Sequence, residues 1–328
     1  MTTNSALLEV RDLSVHFESG SDRLTAVDGV DLTLDRGETL GIVGESGCGK
    51  TVLVTSLLGL LPSSARVTSG RLRFRGAELS NVSGGGWRAI RGRRIGMVFQ
   101  DPTTALNPLR TIGSQLVEAI AIHDRAATSR EIRTRIVELL ESVGIPDASG
   151  RLSDYPHQWS GGMRQRALIA MAISNSPDLL IADEPTTALD VTIQAQVLEL
   201  FRSIQKERSL AMIFISHSLG VVNSIADRVS VMYAGRIVES GSCSDVLLTP
   251  SHPYTRALVD CFPEIGRPRG SLRAIDGLPP RIFGRIDGCR FRERCEVGRE
   301  RADCIGQDPI LKVASGGRLV ACHAVSPS

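Results

Sequence analysis

The stretch Gly44-Glu45-Ser46-Gly47-Cys48-Gly49-Lys50-Thr51 decides the reading of this chain, because it fits the spacing GxxxxGK[ST]. Its glycines let backbone N–H groups point inward around a polyphosphate, and the following helix adds the positive end of its dipole. Lys50 is then placed to reach the β and γ phosphates, and Thr51 to bind magnesium. Alternating residues from Leu32 to Val43 lead into this stretch as a strand, and Leu8 to Phe17 reads as another. The order is strand, phosphate loop, helix.

Further along, the apolar run Leu179 to Ala182 ends in Asp183 and Glu184. Side chains alternate along a strand, so two adjacent carboxylates at its end can take separate tasks. Asp183 is assigned to the magnesium shell and Glu184 to the general base that orients and deprotonates the attacking water. The runs Leu179 to Ala182 and Ala211 to Ile215 read as buried parallel strands separated by a helical stretch, Ile193 to Gln205. A further strand is expected at Ile95 to Phe99. Between them, Ile112, Leu116, Ile120, Ile132, Ile136, Leu139 and Leu140 recur at helical spacing, which marks a mostly helical insertion at about 101–176. Strand and helix alternate, so the core is α/β with a mostly parallel sheet. Turn residues and prolines near Pro250 suggest a boundary, dividing the chain into 1–250 and an extension, 251–328. No internal repeat is found.

Composition narrows the classes. Of 328 residues, 42% are hydrophobic and 23% charged, which is ordinary for a globular protein. The run Val52 to Leu61 is about half of the ~20 residues a membrane span requires, so no direct span is expected. A net charge of +2 gives no reason to expect a nucleic-acid partner, and the arginines between Arg88 and Arg94 read as a solvated face. The start, MTTNSALLEV, carries no basic region followed by an apolar stretch, so the chain is expected to stay in the cytoplasm.

Ser160-Gly161-Gly162-Met163-Arg164-Gln165 resembles the signature loop of ATP-binding-cassette (ABC) ATPases. That resemblance implies a P-loop NTPase, RecA-like core with a helical signature subdomain, in which Ser160, Gly161 and Gly162 serve the ATP of an opposing ATPase subunit. Met163 replaces the commoner glutamine, and Trp159 stands where leucine or phenylalanine is usual. Gln100 in VFQDP resembles the glutamine joining the metal site to the helical insertion, Asp190 in TTALD the loop at the dimer interface, and His217 in FISHSLG the switch histidine on the γ-phosphate. Phe17 resembles the aromatic that stacks on adenine. Ser218 stands where transport relatives often carry aspartate.

The run HPYTRALVDCFPEI, then IDGLPP and GCRFRERC, resembles the extension of oligopeptide and dipeptide importer ATPases. The resemblance implies two transmembrane permease subunits, a second ATPase of a similar but different chain, an extracytoplasmic peptide-binding protein, and a peripheral place on the cytoplasmic face of the inner membrane. Related importers carry nickel chelates or glutathione. A soluble cassette ATPase of translation or repair is the alternative from another class, but that type usually fuses two cassettes and this chain holds one.

Four of the seven cysteines, Cys289, Cys295, Cys304 and Cys322, crowd this extension. Four thiolates suit tetrahedral zinc or an iron-sulfur cluster, and no CxxC pair is present. The importer resemblance implies a four-iron, four-sulfur cluster. Arginines 290, 292, 294, 299 and 301 are expected to offset its negative charge, and His323 is a substitute ligand. Cys48 is expected to be reactive, because a thiol at a helix N-terminus has a lowered pKa.

Overall fold

The computed structural model describes residues 6–326, apart from 20–21, 81, 83, 188, 262–274 and 285. Strands run in chain order as β1 (Leu8–Ser19), β2 (Asp22–Leu34), β3 (Thr39–Val43), β4 (Ala65–Phe74), β5 (Ala77–Glu78), β6 (Ile95–Val98), β7 (Leu179–Asp183), β8 (Ala211–Ile215), β9 (Arg228–Tyr233), β10 (Arg236–Ser242), β11 (Ile282–Phe283), β12 (Lys312–Val313) and β13 (Leu319–Val320). The chain divides into two compact units, one from residues 1–81 and 215–328, the other from 82–214.

The first unit carries an antiparallel sheet in the order β11-β2-β1-β4-β5 and a second group in the order β12-β13-β10-β9-β3. β1 and β2 pair antiparallel, with Val10 opposite Leu32 and Phe17 opposite Leu24. β3 runs parallel to β9, with Leu40 opposite Arg228 and Val43 opposite Val231. All five residues of β3 are buried, as expected of a strand covered on both faces.

The expected single strand from Leu32 to Val43 is instead two, β2 and β3. Between them a turn closes, in which the Asp35 amide donates to Glu38 Oε2 at 2.7 Å and Gly37 takes φ 69°. The alternation of apolar residues continues through the turn and hides it; Asp35, Arg36 and Gly37 are the breakers. β4 carries no simple sequence signal, because only Ala65, Leu72 and Phe74 of its ten residues are buried.

The extension is built into this unit. β11 pairs with β2, Ile282 lying opposite Thr25, and β13 pairs with β10, Glu239 lying opposite Val320. One apolar cluster joins Val43, Val231, Tyr233, Val246, Tyr254, Leu258, Ile282, Phe291 and Cys295. The segment Phe262 to Ile265 of the HPYTRALVDCFPEI run lies outside the described residues.

In the second unit β6 and β7 are parallel, Ile95 opposite Leu179 and Val98 opposite Ala182, in the order β8-β7-β6. The expected helical insertion is a set of helices, among them Ile112–Ala121, capped by Thr111, and Ser129–Ser142, whose Thr128 and Glu131 form a reciprocal capping box. Ile112, Leu116, Ile120, Ile132, Ile136, Leu139 and Leu140 are all buried, so the periodicity marked the inward faces correctly. Gly161–Ile173 and Val191–Arg208 follow as longer helices. No described helix is long and apolar enough to cross a membrane.

Candidate active site

In the first unit, β3 delivers its chain into the loop 44–49 and then into the helix Lys50–Leu57. Gly44 has φ 155°, and a Cβ there would lie 2.2 Å from the Met232 carbonyl; Gly49 has φ 106°, and its Cβ would lie 2.3 Å from that of Ala26. Both positions therefore require glycine. Lys50 is 5% exposed and its ammonium donates to the carbonyls of Gly44 at 2.8 Å and Glu45 at 3.1 Å. The lysine is thus folded over its own loop, where a polyphosphate would meet it. Thr51 opens the following helix, and Ser46 and Gly47 occupy the exposed bend of the loop.

Cys48 departs from the expectation of a reactive thiol. It is 2% exposed, and burial pushes its pKa up, despite Lys50 Nζ at 3.8 Å. Desolvation outweighs both the cation and the helix end.

His217 follows β8 and is exposed. The preceding Ser216 amide donates to the Ile42 carbonyl at 3.3 Å, which fixes this turn against the strand that feeds the phosphate loop. Ser218, standing where aspartate is common, caps the helix Leu219–Ile225 by accepting from the Val221 amide, and its own amide donates to Ser216 Oγ at 3.0 Å. Phe17, half-buried on β1, lies between Leu24 and Ala65 in register.

In the second unit, β7 ends in Asp183, 3% exposed, and Glu184. Glu184 takes φ 46°, a left-handed conformation that costs about 1 kcal/mol or more for a residue with a side chain. Its Oε2 accepts from Gln100 Nε2 at 3.2 Å and from Thr187 Oγ1 at 3.0 Å. Gln100, which follows β6, and the end of β7 therefore meet.

Ser160 caps the helix Gly161–Ile173, accepting from the Met163 amide at 3.3 Å. A Cβ on Gly162 would lie 2.8 Å from a methyl of Ile193, so glycine permits this close packing. Trp159 is 2% exposed and its indole donates to Asp154 Oδ2 at 3.0 Å, which accounts for a tryptophan at this place. Asp190 caps the helix Val191–Arg208, accepting from the Ile193 amide at 2.9 Å; Ala188 of the TTALD run lies outside the described residues.

In the extension, Cys289, Cys295, Cys304 and Cys322 line one small cavity together with Phe291, Val297 and His323. Gly298 donates its amide to Cys295 Sγ at 3.2 Å, and Gly288, at φ 86°, brings the backbone within reach of the Cys304 carbonyl. Burial pushes the Cys289 thiol up to about 12 and raises Cys304 and Cys322 as well. Of the arginines expected to neutralise these thiols, Arg301 does act on Cys304 and Cys322, favouring their charged forms, while it and the other four also take partners elsewhere. Arg290 pairs with Asp28, Arg292 with Glu293, Arg294 with Glu45 and Arg301 with Asp303, while Arg299 donates to the Glu293 carbonyl.

Sequence reasoning missed the residues that join this extension to the phosphate loop. His252 caps the helix Pro253–Asp260, with Nδ1 accepting from the Tyr254 amide at 3.0 Å, and complete burial lowers its pKa to about 3. Pro253 then occupies the first helical turn, where a missing N–H costs nothing. Tyr254 accepts the Glu45 amide on its hydroxyl at 2.9 Å. Beneath them Glu239, fully buried, accepts the amides of Ser251 and His252. The three residues His252, Pro253 and Tyr254 thus form a cap, a helix start and a support for the loop. Only the motif's resemblance flagged them; no spacing could, since Tyr254 and Glu45 lie 209 positions apart.

A glycine-shaped phosphate loop, an acidic strand end and a serine-capped signature helix define an ATP-binding-cassette ATPase. Residues 27–187 match the family model "ABC transporter", and residues 238–304 match "Oligopeptide/dipeptide transporter, C-terminal region". The chain is 50% identical to the dipeptide transport ATP-binding protein DppD of Bacillus subtilis, over 88% of this chain and 86% of that one. It is 44% identical to the protein of the same name from Escherichia coli, over 97% and 96%. It is 46% identical to the oligopeptide transport ATP-binding protein AmiE of Streptococcus pneumoniae, over 90% and 83%. Among solved structures, the dimeric ABC transporter cassette MJ0796 superposes with a TM-score of 0.65 over 72% of this chain and 98% of its own, at 24% identity. CbiO1 of Clostridium perfringens gives 0.64 over 74% and 91%, at 28%. The chain belongs to the ATP-binding subunits of the oligopeptide/dipeptide ABC transporter family.

Proposed function

We propose that this chain hydrolyses ATP to energise the import of dipeptides or oligopeptides, as one of two cassette subunits docked beneath a pair of membrane-spanning permease subunits. The observation that carries this reading is the match that continues beyond the cassette through the extension, where His252 and Tyr254 tie the importer-type segment to the phosphate loop. In the reaction, Lys50 and the amides of 44–49 would neutralise the polyphosphate; Thr51 in the first unit and Gln100 and Asp183 in the second are the residues that would hold magnesium, and the ion would supply charge neutralisation of the phosphoryl group. Glu184 takes the proton of the attacking water, His217 contacts the γ-phosphate, and Phe17 stacks on the base. Ser160, Gly161, Gly162 and Asp190 serve the facing subunit, a different chain of similar build. The helical insertion receives the permeases' coupling elements, so that closing on ATP alternates access, and an extracytoplasmic binding protein delivers the peptide. Residues 1–250 make the cassette and 251–328 the extension.

This reading is tested by reconstituting the chain with its permease and partner subunits in vesicles. ATP-dependent peptide uptake is expected, and uptake of a nickel chelate or glutathione but not of peptides would overturn it.

We further propose that the four cysteines hold a four-iron, four-sulfur cluster. The residues fit: four thiols converge on one largely apolar cavity, and an amide is already directed at Cys295 Sγ. Among the described residues no three His, Cys, Asp or Glu side chains are placed to hold a metal ion, so the thiols would have to turn toward any bound group. Bound there, the cluster would supply a cross-link between segments too short to build a core of their own. Anaerobically purified protein is expected to be coloured and to contain iron and sulfide, and Cys304→Ser to lose both. Colourless, zinc-loaded protein would refute the cluster.

A further inference from the structure

The extension grips a single residue of the phosphate loop twice. Tyr254 takes the Glu45 amide, and Arg294 takes the Glu45 carboxylate with both arms of its guanidinium, Nη1 to Oε2 at 2.7 Å and Nη2 to Oε1 at 2.9 Å. Arg294 is itself held in place: its side chain is 6% exposed, Nε donates to the Asp276 carbonyl at 2.8 Å, and the guanidinium lies 5.7 Å from the Tyr233 ring centre. Such a planar fork, packed against a ring and bonded on three sides, is held in one orientation. Arg294 also adjoins Cys295, a wall of the thiol cavity.

We propose that Arg294 is a positioning residue for ATP binding, acting through Glu45. Glu45 is the second residue of a loop whose task is to surround a polyphosphate, so a free carboxylate there repels the ligand. The guanidinium neutralises that charge and turns it away from the loop's interior. The inference rests on the nucleotide-binding reading of the loop and is independent of what occupies the thiol cavity.

The test is ATP titration of hydrolysis by the assembled transporter carrying full-length variants, with thermal unfolding as a control for folding. Arg294→Ala is expected to raise the KM for ATP by about 10-fold, the size of one unscreened like charge near the site, with most of the change in KM rather than kcat. Arg294→Lys, which keeps the charge but loses the fork, should raise it about 2-fold to 3-fold. Adding Glu45→Gln should return the KM of Arg294→Ala to within about 3-fold of wild type and abolish the smaller rise of Arg294→Lys, because the repelling charge is gone. A merely structural loss of docking would not be repaired by a change in the loop. An unchanged KM in the folded variants, or a rise that Glu45→Gln leaves in place, would overturn the proposal. If Arg294→Ala fails to fold, the lysine variant with and without Glu45→Gln decides it. A wild-type complex that neither binds nor hydrolyses ATP would instead remove the nucleotide reading itself.

Discussion

Glu184→Gln is expected to lower ATP turnover of the assembled transporter by about 100-fold or more, while ATP binding is retained. That factor corresponds to about 2.7 kcal/mol of lost transition-state stabilisation. Three features of the site support it. The residue follows a fully buried strand, so its backbone is firmly anchored. Its φ of 46° is a strained conformation of the kind that survives where the surroundings enforce it, and it re-aims the side chain relative to Asp183. Gln100 and Thr187 both donate to Oε2, which stabilises the carboxylate in one orientation. Glutamine preserves the size and most of these bonds but cannot take a proton. Single-turnover and steady-state assays would check the outcome, together with nucleotide binding; unchanged turnover would remove Glu184 as the base.

Tyr254→Ala is expected to destabilise the first unit by about 3–5 kcal/mol, the usual cost of emptying a buried aromatic site. The ring is fully buried, with its centre 4.5 Å from that of Tyr233 and 5.3 Å from that of Phe291. Tyr254→Phe keeps the packing and loses only the acceptor for the Glu45 amide, at about 1 kcal/mol. Urea denaturation of the full chain would measure both. A small loss for the alanine variant would mean that the segment beginning at Ser251 is dispensable to the core of this unit, contrary to the cluster it shares with Val43 and Val231.

Much of the site is legible in the sequence, because each part depends on neighbouring residues. The phosphate loop needs glycines where the chain takes positive φ, and the signature helix needs a capping serine; both are local demands, written within eight residues. The helical periodicity between Ile112 and Leu140 is local as well. Errors arose where the environment decides. Cys48 sits at a helix N-terminus as expected, yet burial outweighs that position and raises its pKa. Of the arginines assigned to the cysteines by proximity in sequence, Arg290 and Arg294 are claimed in space by carboxylates as distant as Asp28 and Glu45, while Arg301 does act on Cys304.

The sequence by itself determined the class of protein, the residues of the nucleotide loop, the acidic strand end and the signature loop, since these rest on short-range backbone geometry. Only the tertiary structure decided that Glu45 is held by Tyr254 and Arg294, across 209 and 249 positions. It also decided that the extension adds strands to the first unit, and that four cysteines spread over 34 residues line one cavity. The physical reason is that ion pairs, ring packing and desolvation depend on distance in space. Spacing along the chain does not specify that distance once the chain has turned back on itself.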